Sequence, residues 1–160
     1  MERISKAINV FQLIPKAKII TVTGTNGKGS TSRLIAKSIA KSYNVSLFTS
    51  PHIHCLTERF FINNEFINSK RLLSLFENNL EELKRQNIQL SFFEFLFFTF
   101  LGEVCFKKSD FLVLEVGLGG RYDATNSVDP DISILTSLGR DHIEFFGNSY
   151  RKILLSLIHI

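Results

Sequence analysis

The chain has 160 residues, 44% of them hydrophobic, with 16 Phe and no Trp: about one domain in length, with enough apolar material for a sizeable core. Its net charge of +4 includes no long run of like charges, so no nucleic-acid footprint is indicated, and the N-terminus has no apolar signal region. The most apolar stretch, 92–106, is interrupted by Glu94 and Glu103 and falls short of the roughly 20 residues that a membrane span needs. Cys55 and Cys105 form no Cys-x-x-Cys pair and read as unpaired thiols of a reducing compartment, so a soluble cytoplasmic protein is expected.

Taken in order, residues 2–14 place Ile4, Ala7, Ile8, Phe11 and Ile14 on one helix face, and Pro15 ends the helix. Residues 19–23 read as a buried strand. Residues 30–42 read as a helix that packs Leu34, Ile35, Ala36, Ile39 and Ala40 on a sheet. Residues 45–49 form a second strand, which ends at Ser50-Pro51-His52. Residues 58–62 and 66–67 suggest a hairpin around Asn63-Asn64. Ser69 is expected to cap a helix over about 70–87, with Leu72, Leu73, Leu75, Phe76, Leu80 and Leu83 inward and a solvated acidic and basic face outward. Ser91 and Glu94 have the spacing of a capping box for a helix running to about Lys108, apolar nearly all round and therefore buried. Residues 110–116 form the strongest strand, a continuous apolar run of the kind found in central parallel strands. A further buried strand covers 132–136, and a last helix starts near Asn148 or Ser149. Strands alternating with helices predict an α/β fold with a mainly parallel sheet flanked by helices.

The stretch 23–31, TGTNGKGST, lies between the first strand and the second helix. A strand, a glycine-rich turn and a helix start together make a cradle for phosphate, with backbone N–H groups aimed at one anion. Lys28 adds a point charge for the outer phosphates, and Ser30 or Thr31 a hydroxyl near a phosphate-bound Mg²⁺. The common phosphate-loop pattern is altered: Val22 stands where a Gly is expected, and Gly29 separates Lys28 from the hydroxyl. The stretch is therefore a variant phosphate loop or an ordinary glycine-rich turn, and its setting favours the former.

Glu115 closes an otherwise apolar strand. A carboxylate there is costly to bury unless it is paired or binds a cation. Beside a phosphate loop it is a natural Mg²⁺ ligand; the alternative is a structural salt bridge to Arg121 or Lys28. Ser50 alone reads as a turn residue. His142 alone reads as a structural strand-end residue, or as a group that orients a ligating Asp141. Since ligands bind at the carboxyl ends of strands in open α/β sheets, these strand ends together would form one site.

Several stretches in order resemble folylpolyglutamate synthase and dihydrofolate synthase, of the Mur-ligase superfamily. They are 23–31 (TGTNGKGST), 49–52 (TSPH), 57–59 (TER), 91–95 (SFFEF), 115–126 (EVGLGGRYDATN) and Asp141-His142. EVGLGGRYDATN is highly specific, whereas TGTNGKGS is shared with the amino-acid ligases of cell-wall synthesis. The resemblance implies a P-loop, Mur-ligase-like domain and an ATP-dependent ligase. ATP would phosphorylate a carboxylate of dihydropteroate or folate, and L-glutamate would attack the acyl phosphate. It implies ATP contacts from Thr25, Asn26, Gly27, Lys28, Gly29 and Ser30. Mg²⁺ would be held by Ser50, Glu115 and His142, with Lys28, Glu115 and His142 the catalytic set. The pterin substrate would be met by Ser91, Tyr122, Asp123 and Ala124. Neither nucleic acid nor membrane is expected as a partner, and the parent protein is expected to be a monomer. The alternatives are a Mur-type amino-acid ligase, a nucleotide-binding fragment without catalysis, and a regulatory ATPase.

Departures from the family pattern bear on extent. Arg140 stands where an apolar residue or Tyr is expected. Residues 1–154 are expected to be a partial ATP-binding ligase domain, without the modified active-site lysine and the second, glutamate-ligase domain of the family. Residues 155–160 read as a non-native tail, with a natural helix as the alternative.

Overall fold

A computed structural model describes residues 2–139 and 154–156. In chain order its elements are α1 (Glu2–Phe11), β1 (Lys18–Thr23), α2 (Lys28–Ile39), β2 (Val45–Phe48), β3 (Phe60–Ile62), β4 (Glu65–Phe66), α3 (Ser69–Arg85), α4 (Phe92–Lys107), β5 (Phe111–Glu115) and β6 (Ile132–Leu135). The six strands form one sheet in the order β4-β3-β2-β5-β1-β6. β2, β5, β1 and β6 run parallel, and the β3–β4 hairpin adds antiparallel at the β2 side. The predicted mainly parallel α/β sheet is therefore the observed one.

Strand side chains alternate between two apolar layers, as a period of two requires. Leu112 and Leu114 of β5 face the larger layer, with Phe48, Phe60 and residues of α1, α3 and α4. Val113 points the other way, joining Ile20, Val22, Val45, Leu47 and Ala36 under α2. Phenylalanine fills the thick layer: Phe48, Phe97 and Phe100 are fully buried, and Phe48 meets four other phenylalanine rings at centroid distances of 5.1–6.0 Å. α4 is apolar all round because strands and helices enclose it. Its N-terminus has the predicted capping box: the Ser91 N–H donates to Glu94 Oε2 at 2.7 Å, and the Glu94 N–H donates to Ser91 Oγ at 3.4 Å.

Several expectations are corrected. α3 is capped by Asn68, whose Oδ1 accepts from the Arg71 N–H at 2.8 Å; the short amide reaches the first-turn donor and leaves Ser69 inside the helix. Leu73 and Leu80 of α3, and Leu34 of α2, are 59%, 47% and 67% exposed, since each of these helices lays only one stripe on the core. Residues 58–59 close a short 3-10 turn (Leu56–Arg59), so the hairpin strand begins at Phe60. β6 is not buried: among the described residues it is an edge strand, with Ile132 at 52% and Leu135 at 41% exposure. An apolar run does not distinguish an edge strand from a central one. Residues 154–156 are helical, and the rest of the expected final helix, from Asn148 or Ser149, lies outside the described residues. Among the described residues no helix is long and apolar enough to cross a membrane.

Candidate phosphate and metal site

The site lies at the carboxyl edge of the parallel strands. Sheet register sets Glu115 opposite Val22, one residue before the end of β1, and sets Leu114 opposite Phe48, the last residue of β2. The chain leaving β1 turns through Gly24 (φ 135) and Gly27 (φ 80), a backbone region that L side chains rarely adopt. Gly24 is also demanded by space, because a Cβ there would fall 2.2 Å from Thr136 Oγ1 and 2.9 Å from the Ser137 nitrogen. α2 then starts with Gly27 as its N-cap and no side chain capping it. Its first-turn N–H groups therefore face outward at the positive end of the helix, an arrangement suited to an anion.

The loop is stitched to the segment after β6. The Thr25 N–H donates to the Ser137 carbonyl at 3.0 Å, the Asn26 N–H to Ser137 Oγ at 2.9 Å, and Thr136 Oγ1 to the Asn26 carbonyl at 2.7 Å. Thr25 Oγ1 accepts from the Gly139 N–H at 2.9 Å. Thr25 and Asn26 thus shape the loop, with their backbone groups already engaged. Lys28 Nζ donates to the carbonyls of Gly24 at 2.8 Å and Thr25 at 3.3 Å, so its charge stays over the loop. Ser30 is exposed in the first turn of α2.

Glu115 is 4% exposed. Among the described residues its carboxylate takes one hydrogen bond, from the Ser50 N–H to Oε2 at 2.9 Å. Neither Arg121 nor Lys28 forms an ion pair with it, so the salt-bridge alternative is absent from the geometry. Burial pushes its carboxyl above the ordinary carboxylate range, opposed by the Ser50 N–H and by the charges of Lys28, Arg33 and Arg59. Gly29 explains the altered loop pattern: a Cβ there would lie 3.2 and 3.3 Å from the two Glu115 oxygens. The extra glycine is what lets the carboxylate approach the start of α2.

This donor set suits Mg²⁺. It offers hard oxygen ligands and a buried carboxylate with spare lone pairs beside the glycine-rich turn, and Mg²⁺ commonly uses one or two carboxylates plus substrate phosphate oxygens. Among the described residues no three His, Cys, Asp or Glu lie together, so an all-protein cage is not formed by them. Ser50 and Glu115 are brought together. His142, with Arg140 and Asp141, lies outside the described residues.

The predicted substrate residues lie at the N-terminus of α4 (Ser91) and on the loop after β5 (Tyr122, Asp123 and Ala124). Gly117 holds α4 and the loop after β5 together, since a Cβ there would be 2.7 Å from Phe93 Cζ and 3.0 Å from Asp123 Oδ2. Asp123 is buried and accepts from the Leu118 N–H, the Thr125 N–H and Thr125 Oγ1 at 2.7–3.0 Å, so its carboxylate organises this loop. Ala124 is buried, and Tyr122 is 74% exposed. Ser91 is at the surface, with its hydroxyl on the α4 cap.

Two charged residues were not singled out by residue chemistry. Arg59 is 9% exposed, donates from Nε to His52 Nδ1 at 3.0 Å, and has its pKa lowered by burial. Glu58 accepts from three consecutive backbone N–H groups, those of Ile53, His54 and Cys55. The TER stretch, noted only as a shared pattern, was their one signal.

The parallel sheet with a glycine-rich turn and a buried carboxylate at its carboxyl edge sets the class of fold, and direct comparison defines the family. The chain belongs to the Mur ligase middle domain family, whose model matches residues 22–155. It is 42% identical over 132 residues to the dihydrofolate synthase/folylpolyglutamate synthase of Buchnera aphidicola subsp. Acyrthosiphon pisum, covering 81% of this chain and 31% of that protein. It superposes on E. coli FolC in complex with DHPP and ADP with a TM-score of 0.91 and 34% identity, over 100% of this chain and 39% of that one. A bifunctional folylpolyglutamate synthase/dihydrofolate synthase with Mn, AMPPNP and L-glutamate bound gives 0.87 and 36% identity, over 99% and 39%. The chain spans about a third of the length of the curated relatives it matches.

Proposed function

We propose that this chain supplies the phosphate-binding part of an ATP-dependent ligase that joins L-glutamate to dihydropteroate or folate through an acyl phosphate. The carrying observation is the buried Glu115 carboxylate, which among the described residues has no ion pair and one donor, the Ser50 N–H at 2.9 Å, and which lies at the start of a helix that Gly29 keeps clear. Structural carboxylates are normally paired; this one is left with lone pairs for a cation. The names of the relatives support the choice of substrates, and the folate-type 115–126 stretch favours it over a cell-wall amino-acid ligase.

In this reading Gly27, Lys28, Gly29 and Ser30 hold the ATP phosphates, and Thr25 and Asn26, whose backbone N–H groups are engaged by Ser137, shape the loop around them. Lys28 and the loop N–H groups offset charge at the transferred phosphoryl group. Ser50, Glu115 and His142 hold Mg²⁺, which, when bound, neutralises charge on the phosphate oxygens. Ser91 and Tyr122 border the acceptor, with Asp123 and Ala124 shaping the loop under it. The reaction belongs to the cytoplasm and the enzyme acts as a monomer.

The test is phosphate release from ATP by the polypeptide encoded by the complete reading frame. Release is expected only when a pteroate or folate acceptor and L-glutamate are both present. Release at the same rate without them would overturn the reading.

A further inference from the structure

Ser50, Pro51 and His52 turn the chain sharply away from β2, and the site needs Ser50 in one place, with its N–H on Glu115. Exposed polar corners do not hold such a position by their own packing: Pro51 is at the surface and Ser50 and His52 are half-buried. Something must fix both flanks, and one residue does. The backbone carbonyl of Glu58 accepts from Thr49 Oγ1 at 3.3 Å, just before the corner. The side-chain carboxylate of the same residue accepts from the N–H groups of Ile53 (2.9 Å), His54 (2.8 Å) and Cys55 (2.9 Å), just after it. Arg59, the next residue, holds the corner itself through His52 Nδ1.

We propose that Glu58 is a positioning residue for the metal–nucleotide site, acting through the Ser50–His52 corner; this rests on the functional reading above. Three peptide donors on one carboxylate are more than a short turn needs for its own cap. Their combined effect holds the Glu58 carboxyl down at about 2, with the Ile53 N–H the largest cause, so the clamp stays charged throughout the working pH range. Among the described residues no hydrogen bond or ion pair joins Glu58 to Glu115 or to the glycine-rich loop. Its influence is geometric: releasing residues 53–55 lets Ser50 drift from Glu115, and the carboxylate then loses the donor that orients it.

The experiment titrates this chain with Mn²⁺·AMPPNP and, separately, with metal-free AMPPNP. Bound Mn²⁺ is followed by electron paramagnetic resonance and folding by the thermal midpoint. Glu58→Gln keeps the shape and removes the charge. It is expected to weaken Mn²⁺·AMPPNP roughly tenfold or more and metal-free AMPPNP less than about twofold, as for other residues that orient metal ligands. Equal losses for both forms would mean a purely structural cap and would overturn the proposal, as would unchanged binding of both. Should Glu58→Gln not fold, Glu58→Asp carries the same test, because it keeps the charge and shortens the reach to the N–H groups of residues 53–55. A wild-type chain that binds no Mn²⁺·AMPPNP would remove the functional reading and this proposal with it. A wild-type chain that binds, with variants that bind equally well, would remove this proposal alone.

Discussion

Helix α4 and the carboxyl edge of the sheet both bury glutamate, and they treat it in opposite ways. In α4, Glu94 is shared between the Ser91 N–H and Arg3, with the ion pair at 3.2 Å, and Glu103 takes Arg71 at 2.9 Å. At the sheet edge Glu115 is as deeply buried as Glu103, each 4% exposed, yet it has one backbone donor and no ion pair among the described residues. Burial alone therefore does not distinguish Glu115 from the glutamates of α4. What marks it is burial without the compensation that folding supplies elsewhere in the same molecule.

The largest expected effect tests the sheet-edge side of this contrast. Lys28→Ala and Glu115→Ala should each lower glutamate-dependent phosphate release on the order of 100-fold or more. Near-normal activity in Glu115→Ala would end its metal role. Glu115→Ala should cost little stability, since the carboxylate it removes is buried with one backbone donor and no ion pair among the described residues; a large fall in the denaturant midpoint would erase the contrast with α4.

Gly29→Ala comes next. Its Cβ would sit 3.2 Å from the nearer Glu115 oxygen, so the carboxylate must shift by a few tenths of an ångström. A loss of about tenfold in Mn²⁺·AMPPNP affinity follows, since misplacement of a reacting geometry is costly. Unchanged affinity would show that the close approach of helix and carboxylate is incidental.

On the α4 side the losses should appear in stability. Glu103→Ala leaves Arg71 without its partner and should lower unfolding free energy by about 1–3 kcal/mol, with Mn²⁺·AMPPNP binding unchanged. Ser91→Ala removes the cap hydroxyl and should cost about 1 kcal/mol in denaturant unfolding.

The smallest effect is on pH dependence. Because burial raises the folded Glu115 pKa above its reference value of 4.5, the folded chain holds that proton more tightly than the unfolded one. Its stabilising contribution is full below 4.5 and is lost as pH rises through the raised folded value. Glu115→Gln should remove that segment of the stability–pH curve. Mn²⁺·AMPPNP binding should run the other way and strengthen as pH rises, because only the ionised carboxylate can ligate. Identical pH profiles in wild type and Glu115→Gln would contradict the raised value.

Much of this was legible in the chain because it rests on local chemistry. The glycines and the following helix announce a tight turn ahead of α2, Ser91 and Glu94 announce a cap, and an acid ending the run 111–114 announces a carboxylate buried at a strand end. The α/β class followed from alternating periodicities. The tertiary structure alone decided the rest. β6 and β5 are both apolar runs, and only sheet order makes one an edge and the other a centre. The lacing of Thr25 and Asn26 by Thr136, Ser137 and Gly139 joins positions more than a hundred residues apart. The Ser50 contact with Glu115, and the clamp of Glu58 on residues 53–55, use backbone N–H groups, which every residue but proline possesses. Such contacts leave no signature in residue type; they exist only once the sheet has set the strand ends side by side.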